Sequence, residues 1–346
     1  METVEHLIIG AGPAGLRAAQ VLAEAGREVL VLEKQPEIGP KTCAGGLTLK
    51  AFRELERLGL PPGTSHRTVG HIAFTGGPSE TLDPDRCVIH TIPRSQLGQW
   101  MLRWTRAAGA EVCAGTAARS IDLADRSLLS GSRRLRWRHL IGADGADSSV
   151  RRTLGLPSPR EYFAAEYNIP GPRLEPLRVE CDPDQLMNGY FWVFPHAGYT
   201  SIGAVAAKRL VRPPALCRYL DARLAALGVS RDGIPLEAAT LEVQFRGLHF
   251  ANGVHLVGDA AGIPSSLTAE GIYGALVSGE EVARTILEPR YPAPKIRRWL
   301  AVKRRHDRVA RLLGRASVRR ILLPALARVA RQRAARGAMA NWFLTG

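Results

Sequence analysis

Gly10-Ala11-Gly12-Pro13-Ala14-Gly15, with Glu33 lying 18 residues beyond Gly15, has the residue types and spacing that hold a dinucleotide. In such a turn the first glycine bends the chain. The second admits a pyrophosphate close to the backbone, and the third lets a helix pack on the preceding strand. An acid about 20 residues on accepts a hydrogen bond from a ribose hydroxyl. Two further acids stand beside small residues downstream. Asp144 opens Asp144-Gly145-Ala146-Asp147-Ser148-Ser149. Asp259 lies in Gly258-Asp259-Ala260-Ala261-Gly262, where small side chains permit close approach of a cofactor.

These residues require strands that end, and helices that start, at one edge of a sheet. His6-Leu7-Ile8-Ile9 reads as a buried parallel strand. A helix follows with Pro13 at an early position, where its missing N–H costs nothing, and it stops at Gly26. Val29-Leu30-Val31-Leu32 is the next strand and delivers Glu33. Arg94-Ser95-Gln96-Leu97 opens another helix, and by itself Arg94 reads as a solvated arginine at a helix start. Leu140-Ile141-Gly142 and His255-Leu256-Val257 are strands that end beside Asp144 and Asp259, where open α/β sheets bind ligands. Ser148 caps a helix after the first of them. A helix from Glu270-Gly271-Ile272 to Ile286 offers free amides and a dipole to negative charge on a flavin's pyrimidine edge. A glycine fingerprint answered at this distance by Gly-Asp-Ala-Ala points to a flavin dinucleotide. It also implies a chain that leaves its nucleotide-binding unit and returns to it.

The 346 residues suffice for two domains or one interleaved unit, and 45% hydrophobic content supports a sizeable core. The five cysteines are scattered without a CxxC pair, which argues against a metal site or a disulfide framework and fits a reducing cytoplasm. The start resembles no signal peptide, and no apolar run is long enough to span a membrane. The net charge of +15 is local. Residues 295–346 hold 13 Arg and 2 Lys against one acid, Asp307. Arg308, Arg311, Arg315 and Arg319 recur along one helical face, opposite Val302, Val309, Leu312, Leu313 and Ala316. Pro324 breaks the pattern before a second basic segment that ends in Trp342-Phe343-Leu344. Such a tail suits an anionic membrane surface or an acidic electron-donor protein; a plain helical cap with a solvated arginine face is the alternative. No nucleic-acid motif accompanies the charge.

At these motifs the chain resembles the group of FAD enzymes that includes aromatic hydroxylases, flavin-dependent halogenases and geranylgeranyl reductases. Two more stretches resemble the geranylgeranyl reductase branch. Lys41-Thr42-Cys43-Ala44-Gly45-Gly46-Leu47 looks like its Cys-Gly-Gly stretch beside the flavin. Tyr190-Phe191-Trp192-Val193-Phe194-Pro195 looks like its Tyr-x-Trp-x-Phe-Pro signature. The resemblance spans about residues 5–290. It implies FAD contacts at Gly10, Gly12, Ala14, Gly15, Glu33, Thr42, Cys43, Gly45, Arg94, Ala118, Asp144, Asp259, Gly271 and Ile272. Glu33 would bind the adenosine ribose, and Arg94 would lie near the ribityl–pyrophosphate region. The chain is short for the branch, and Ala44 stands where a third glycine is often found. No second GxGxxG with a following acid marks a nicotinamide site, which leaves NADPH and reduced ferredoxin both open as reductant.

The implied architecture is α/β: a Rossmann-like FAD-binding domain with a mainly parallel sheet (1–60, 91–158 and 246–294), interleaved with an antiparallel-sheet substrate domain (61–90 and 159–245). The basic helical tail (295–346) follows. The implied activity is reduction of C=C bonds in an isoprenoid or similar apolar substrate by hydride from reduced flavin. Alternation puts Tyr190, Trp192 and Phe194 on one strand face, where they and Pro195 could line an apolar channel or form a plain core stripe. Cys43 could donate a proton, shape the pocket or be a small buried hydrophobe. A monooxygenase or halogenase is the competing activity. Against it, Gly262 replaces the histidine of the hydroxylase motif, and Tyr190 and Phe194 depart from the halogenase Trp-x-Trp-x-Ile-Pro stretch. Lys50 could mimic a halogenase lysine, although a solvated helix lysine is the simpler reading. A third reading is a membrane-docked flavoprotein that relays electrons.

Overall fold

The computed structural model describes residues 2–74, 80–81, 88–159, 161–171, 174 and 176–319. Five parallel strands form the heart of the first sheet, in the order Glu111–Cys113, Val29–Leu32, Glu2–Ile9, Arg133–Gly142 and Val254–Leu256. The central strand is apolar on both faces, as a strand covered on both sides must be: Leu7 and Ile8 are fully buried. The register brings the carboxyl ends into one row. Ile9 sits opposite Leu32 and Gly142, and Gly142 opposite Leu256. Helices Pro13–Glu24 and Ile272–Leu287 cross closely on one face; a Cβ on Gly279 would lie 2.2 Å from the Ala14 carbonyl oxygen.

The second sheet runs in the order Glu237–Leu241, Tyr162–Pro170, Tyr199–Ala207, Tyr190–Pro195, Leu177–Cys181, His66–Phe74, Val88–Thr91 and Gly46–Leu47. It is antiparallel except where Leu177–Cys181 pairs with His66–Phe74. Phe191, Val193, Ile202 and Ala204 pack on one face with Leu216, Leu220 and Leu224 of helix Pro213–Ala226. Trp192, Phe194, Val205 and Ala207 pack on the other. Gly46–Leu47 carries the Cys43 segment into the edge of this sheet, a pairing that the sequence does not announce. The mixed α/β architecture, with a parallel-rich sheet and a separate antiparallel one, is the expected fold class.

Over its described residues the basic segment takes the form of the alternative reading, a helical cap with a solvated arginine face. Helix Pro294–Leu313 is built into the body rather than trailing from it. Trp299 is 2% exposed, and its Nε1–H donates to the Ile263 carbonyl at 3.2 Å. The buried Lys303 ammonium donates to the carbonyls of Val243 (2.6 Å) and Pro264 (2.9 Å). Arg304, Arg305, Arg308, Arg311 and Arg315 remain on the exposed side. The second basic segment, Pro324 and Trp342-Phe343-Leu344 lie outside the described residues, as does Cys87. No helix among the described residues is long and apolar enough to cross a membrane.

Candidate active site

The row of strand ends assembles the nucleotide motif. Gly10 adopts φ +105°, and a Cβ there would meet the Ala143 carbonyl oxygen at 2.3 Å. Above Gly12 there is open space: a Cβ there would have nothing within 4 Å. No side chain caps the helix that starts at Pro13, so its first amides remain available to an anion. The Glu33 carboxylate accepts from the Ala11 amide (2.8 Å) and the Gln35 amide (2.9 Å), standing beside the glycine turn. Ala14, in the first turn of that helix, has its methyl against Gly258, where an added Cβ would come within 3.0 Å of it. Ala118 starts a strand two residues beyond Thr116, whose amide donates to the Glu33 carbonyl. The Asp144 carboxylate accepts from Ser148 Oγ and from the Ser149 amide and hydroxyl, so its side chain serves the helix it precedes. Burial raises its pKa, and the serine hydrogen bonds oppose that rise.

The segment Lys41–Gly46 is held residue by residue to different parts of the molecule. Lys41 Nζ is 3.2 Å from Asp259 Oδ2. Thr42 Oγ1 lies 3.5 Å from the Ala238 carbonyl oxygen, and the Cys43 amide donates to Glu166 Oε1 at 2.6 Å. The Ala44 carbonyl meets His196 Nε2 at 2.9 Å, and the Gly45 carbonyl accepts from the Ile92 amide at 3.0 Å. Gly45 adopts φ +68° and packs against His196, and Gly46 abuts the Phe194 ring; a Cβ on either would clash at 2.6 or 2.3 Å. Cys43 is a half-buried free thiol.

Glu166 has no counterpart among the residues singled out from sequence. It is 1% exposed, in a strand whose partners carry Gly203 and Glu237 opposite it. Its second oxygen accepts from Ser201 Oγ at 2.7 Å, and Ser201 accepts from Trp192 Nε1–H at 2.9 Å. Burial pushes its pKa up; the Ser201 and Cys43 hydrogen bonds hold it down, the Glu237 charge adds to the rise and the Arg94 charge opposes it. A lone acid between Ala165 and Tyr167, in a strand with no other charge in its interior, is the signal that the sequence offers.

Tyr190, Trp192 and Phe194 share one strand face, as alternation requires. Trp192 and Phe194 are buried, while Tyr190 is half-buried and its hydroxyl donates to the Thr268 carbonyl at 2.9 Å. Pro195 ends the strand, its carbonyl accepting from Thr91 Oγ1. This face therefore spans from the Cys43 segment to the loop that leads into Gly271 and Ile272. Gly271 is the uncapped start of helix Ile272–Leu287. The preceding Glu270 accepts from Thr48 Oγ1 (2.5 Å) and lies 3.0 Å from Lys50 Nζ. Lys50 sits over the Tyr273 and Trp299 rings. It is thus a largely buried, paired lysine rather than a solvated helix lysine.

These residues fit FAD. The helix starts at Pro13 and Ile272 are both uncapped, the space above Gly12 is open, and the buried Nε of Arg94 has no hydrogen-bond partner among the described residues. FAD when bound supplies hydride-transfer chemistry. A family model described as an FAD binding domain matches residues 3–197. Digeranylgeranylglycerophospholipid reductase 1 of Methanopyrus kandleri is 30% identical over 305 residues, 82% of this chain and 80% of its own length. The chain belongs to the geranylgeranyl reductase family of FAD-dependent oxidoreductases. Menaquinone reductase of Mycobacterium tuberculosis is 29% identical to this family member, over 82% of this chain and 77% of its own. A geranylgeranyl bacteriochlorophyll reductase-like structure from Thermoplasma acidophilum superposes with a TM-score of 0.78 at 22% identity, covering 99% of this chain and 96% of that one. The fold is shared more widely in the group: anhydrotetracycline hydroxylase from Streptomyces rimosus gives 0.70 at 20% identity, over 99% of this chain and 76% of that one.

Proposed function

We propose that this reductase-family flavoprotein reduces C=C bonds of an isoprenoid or similar apolar, lipid-like substrate. The observation that carries the reading is the aromatic strand face, which closes against both the Cys43 segment and the Thr268–Ile272 approach to the flavin-side helix. An isolated alkene has no carbonyl to polarise, so orientation in a dry, apolar site supplies much of the rate. Tyr190, Trp192, Phe194 and Pro195 are proposed to orient the chain. Hydride goes to one alkene carbon, and Cys43 is the proposed donor of the proton to the other, with the thiolate reprotonated from solvent. The division into a discontinuous FAD-binding domain and a substrate domain follows the same reading. NADPH or a reduced ferredoxin is proposed as the electron source.

One observation favours reduction over oxygenation. At Gly262, where the hydroxylase motif carries histidine, φ is +73° and a Cβ would lie 2.2 Å from the Gln244 carbonyl oxygen. The arginines on the outer side of helix Pro294–Leu313 support docking on an anionic membrane, where prenyl lipids reside. The test is anaerobic photoreduction of the bound flavin, followed by prenyl diphosphates, prenylated glycerolipids and menaquinone as oxidants. Flavin reoxidation with a two-hydrogen mass gain per reduced bond is expected. Substrate-coupled oxygen consumption with an added oxygen atom in the product would instead establish an oxygenase.

A further inference from the structure

Three separate parts of the chain meet at one buried carboxylate, and a fourth joins through Ser201. Glu166 Oε1 takes the Cys43 amide at 2.6 Å, and Oε2 takes the Ser201 hydroxyl at 2.7 Å. Ser201 in turn takes Trp192 Nε1–H at 2.9 Å. Each carboxylate oxygen thus has its own donor. Burial of the carboxylate makes loss of the acceptor expensive for the donors left behind. An acid that only filled a strand position would not need to be buried beneath a turn from another sheet edge. The chain of bonds is continuous from the indole of the aromatic face, through one hydroxyl and one carboxylate, to the backbone that carries the thiol.

We propose that Glu166 is a positioning residue that couples the aromatic strand face to the Cys43 turn, so that the thiol's position is set by the Trp192–Ser201–Glu166 chain. Glu166 acts through the Cys43 backbone. Displacement of Trp192 by a substrate pressed on the aromatic face would be passed to the turn through Ser201. The inference rests on the reading of that face as the substrate side, but the hydrogen-bond chain can be tested without substrate.

The test uses the full-length, FAD-loaded protein and the rate of Cys43 alkylation by iodoacetamide, resolved from the other cysteines by peptide mass spectrometry. Glu166→Gln keeps an oxygen for the Cys43 amide and is expected to alkylate within twofold of the unaltered protein. Glu166→Ala removes the acceptor and is expected to raise the rate at least tenfold. Glu166→Asp, too short to reach, should raise it at least threefold and serves if the alanine variant does not fold. Ser201→Ala should give a rise between those of Gln and Ala. A structural role without positioning predicts alkylation that follows global stability across the set, with no rescue by Gln. Equal rates in the Asp and Gln variants, or a Ser201→Ala rate equal to the unaltered one, would overturn the coupling. Neither outcome bears on which lipid is reduced, so the substrate reading stands or falls separately.

Discussion

Lys41 Nζ lies 3.2 Å from Asp259 Oδ2, joining the turn that carries Cys43 to the strand end that completes the nucleotide row. The lysine side chain is 47% exposed, so the pair contributes at most about 1 kcal/mol. Asp259 is therefore expected to matter for the cofactor more than for the fold. Lys41→Ala should leave FAD content and apoprotein stability nearly unchanged. Asp259→Ala should lose FAD on desalting, read from the ratio of flavin to protein absorbance, while the apoprotein unfolds at nearly the same urea concentration. Full FAD retention in Asp259→Ala would restrict the acid to its lysine.

The glycines of the fingerprint separate fold from cofactor. A Cβ on Gly15 would lie 2.0 Å from the Gly10 carbonyl oxygen, a backbone atom that cannot swing aside. Gly15→Ala should cost about 1–3 kcal/mol or more of apoprotein stability, by the overpacking it forces. Gly12 has φ −76° and open space around it, so Gly12→Ala should fold normally and bind FAD weakly. Urea denaturation of both apoproteins, beside FAD titration of each, reads the difference. Equal stability losses in the two would remove the distinction.

The contrast between Gly12 and Gly15 also shows where sequence reading reaches. Strand, glycine turn, helix and acid form a local grammar with fixed spacing, so the parallel sheet and its row of ligand-facing ends are legible from residues 6 to 33. The aromatic face is legible from alternation, because period two is a property of the backbone. Glu166 is not. Its meaning comes from Cys43 and Ser201, 123 and 35 residues away. A charge in an apolar strand says only that some partner exists. Helix Pro294–Leu313 reads as a trailing tail for a related reason. Its arginines dominate the composition, whereas the six buried residues that dock it, Trp299 and Lys303 among them, are scattered over twenty positions.

Acid should destabilise the protein in two overlapping windows. His255 is buried beside His139 and His249, and burial pushes its pKa from 6.5 down to about 3; His6, His139 and His249 are lowered for the same first reason. Between these values the unfolded chain binds a proton that the folded one refuses, so stability falls as pH drops from about 6.5 towards 3. Glu280 accepts from Arg17 (2.6 Å) and Arg57 (2.7 Å). Burial would raise its pKa, but the Arg17 charge and hydrogen bonds outweigh it, with Lys295 and Arg57 adding, and hold it at about 2, below the usual 4.5. Its contribution is complete above about 4.5 and is lost as pH falls towards 2. His255→Phe should flatten the upper window in urea midpoints measured from pH 7 to 4. Glu280→Gln should cost about 3–5 kcal/mol already at pH 7, because it leaves the buried Arg17 with a neutral partner. An unchanged pH slope in His255→Phe would assign the upper window to the other histidines.

Helix Pro294–Leu313 should separate into a structural inner face and a membrane-docking outer face. Ending the chain after residue 319 keeps Trp299, Lys303 and their carbonyl partners, so that truncation should retain the fold and FAD. Ending it before Pro294 removes the buried Ile296, Trp299 and Leu313 together, each worth about 1.5–3 kcal/mol by burial, and should leave no stable holoprotein. Arg304, Arg305 and Arg308 are exposed and can be changed to Gln without touching these contacts. Near an anionic surface each arginine contributes about 1 kcal/mol, so the triple variant should sediment with anionic vesicles about a hundredfold more weakly. Raised salt should weaken the unaltered protein in the same direction, while neutral vesicles should bind neither protein. The residues after 319 carry further arginines and Trp342-Phe343-Leu344, so the truncated chain and the triple variant should be compared at one lipid concentration. Anionic-vesicle binding unchanged in both would mean that the arginines only solvate the helix, and that substrate reaches the site without surface docking.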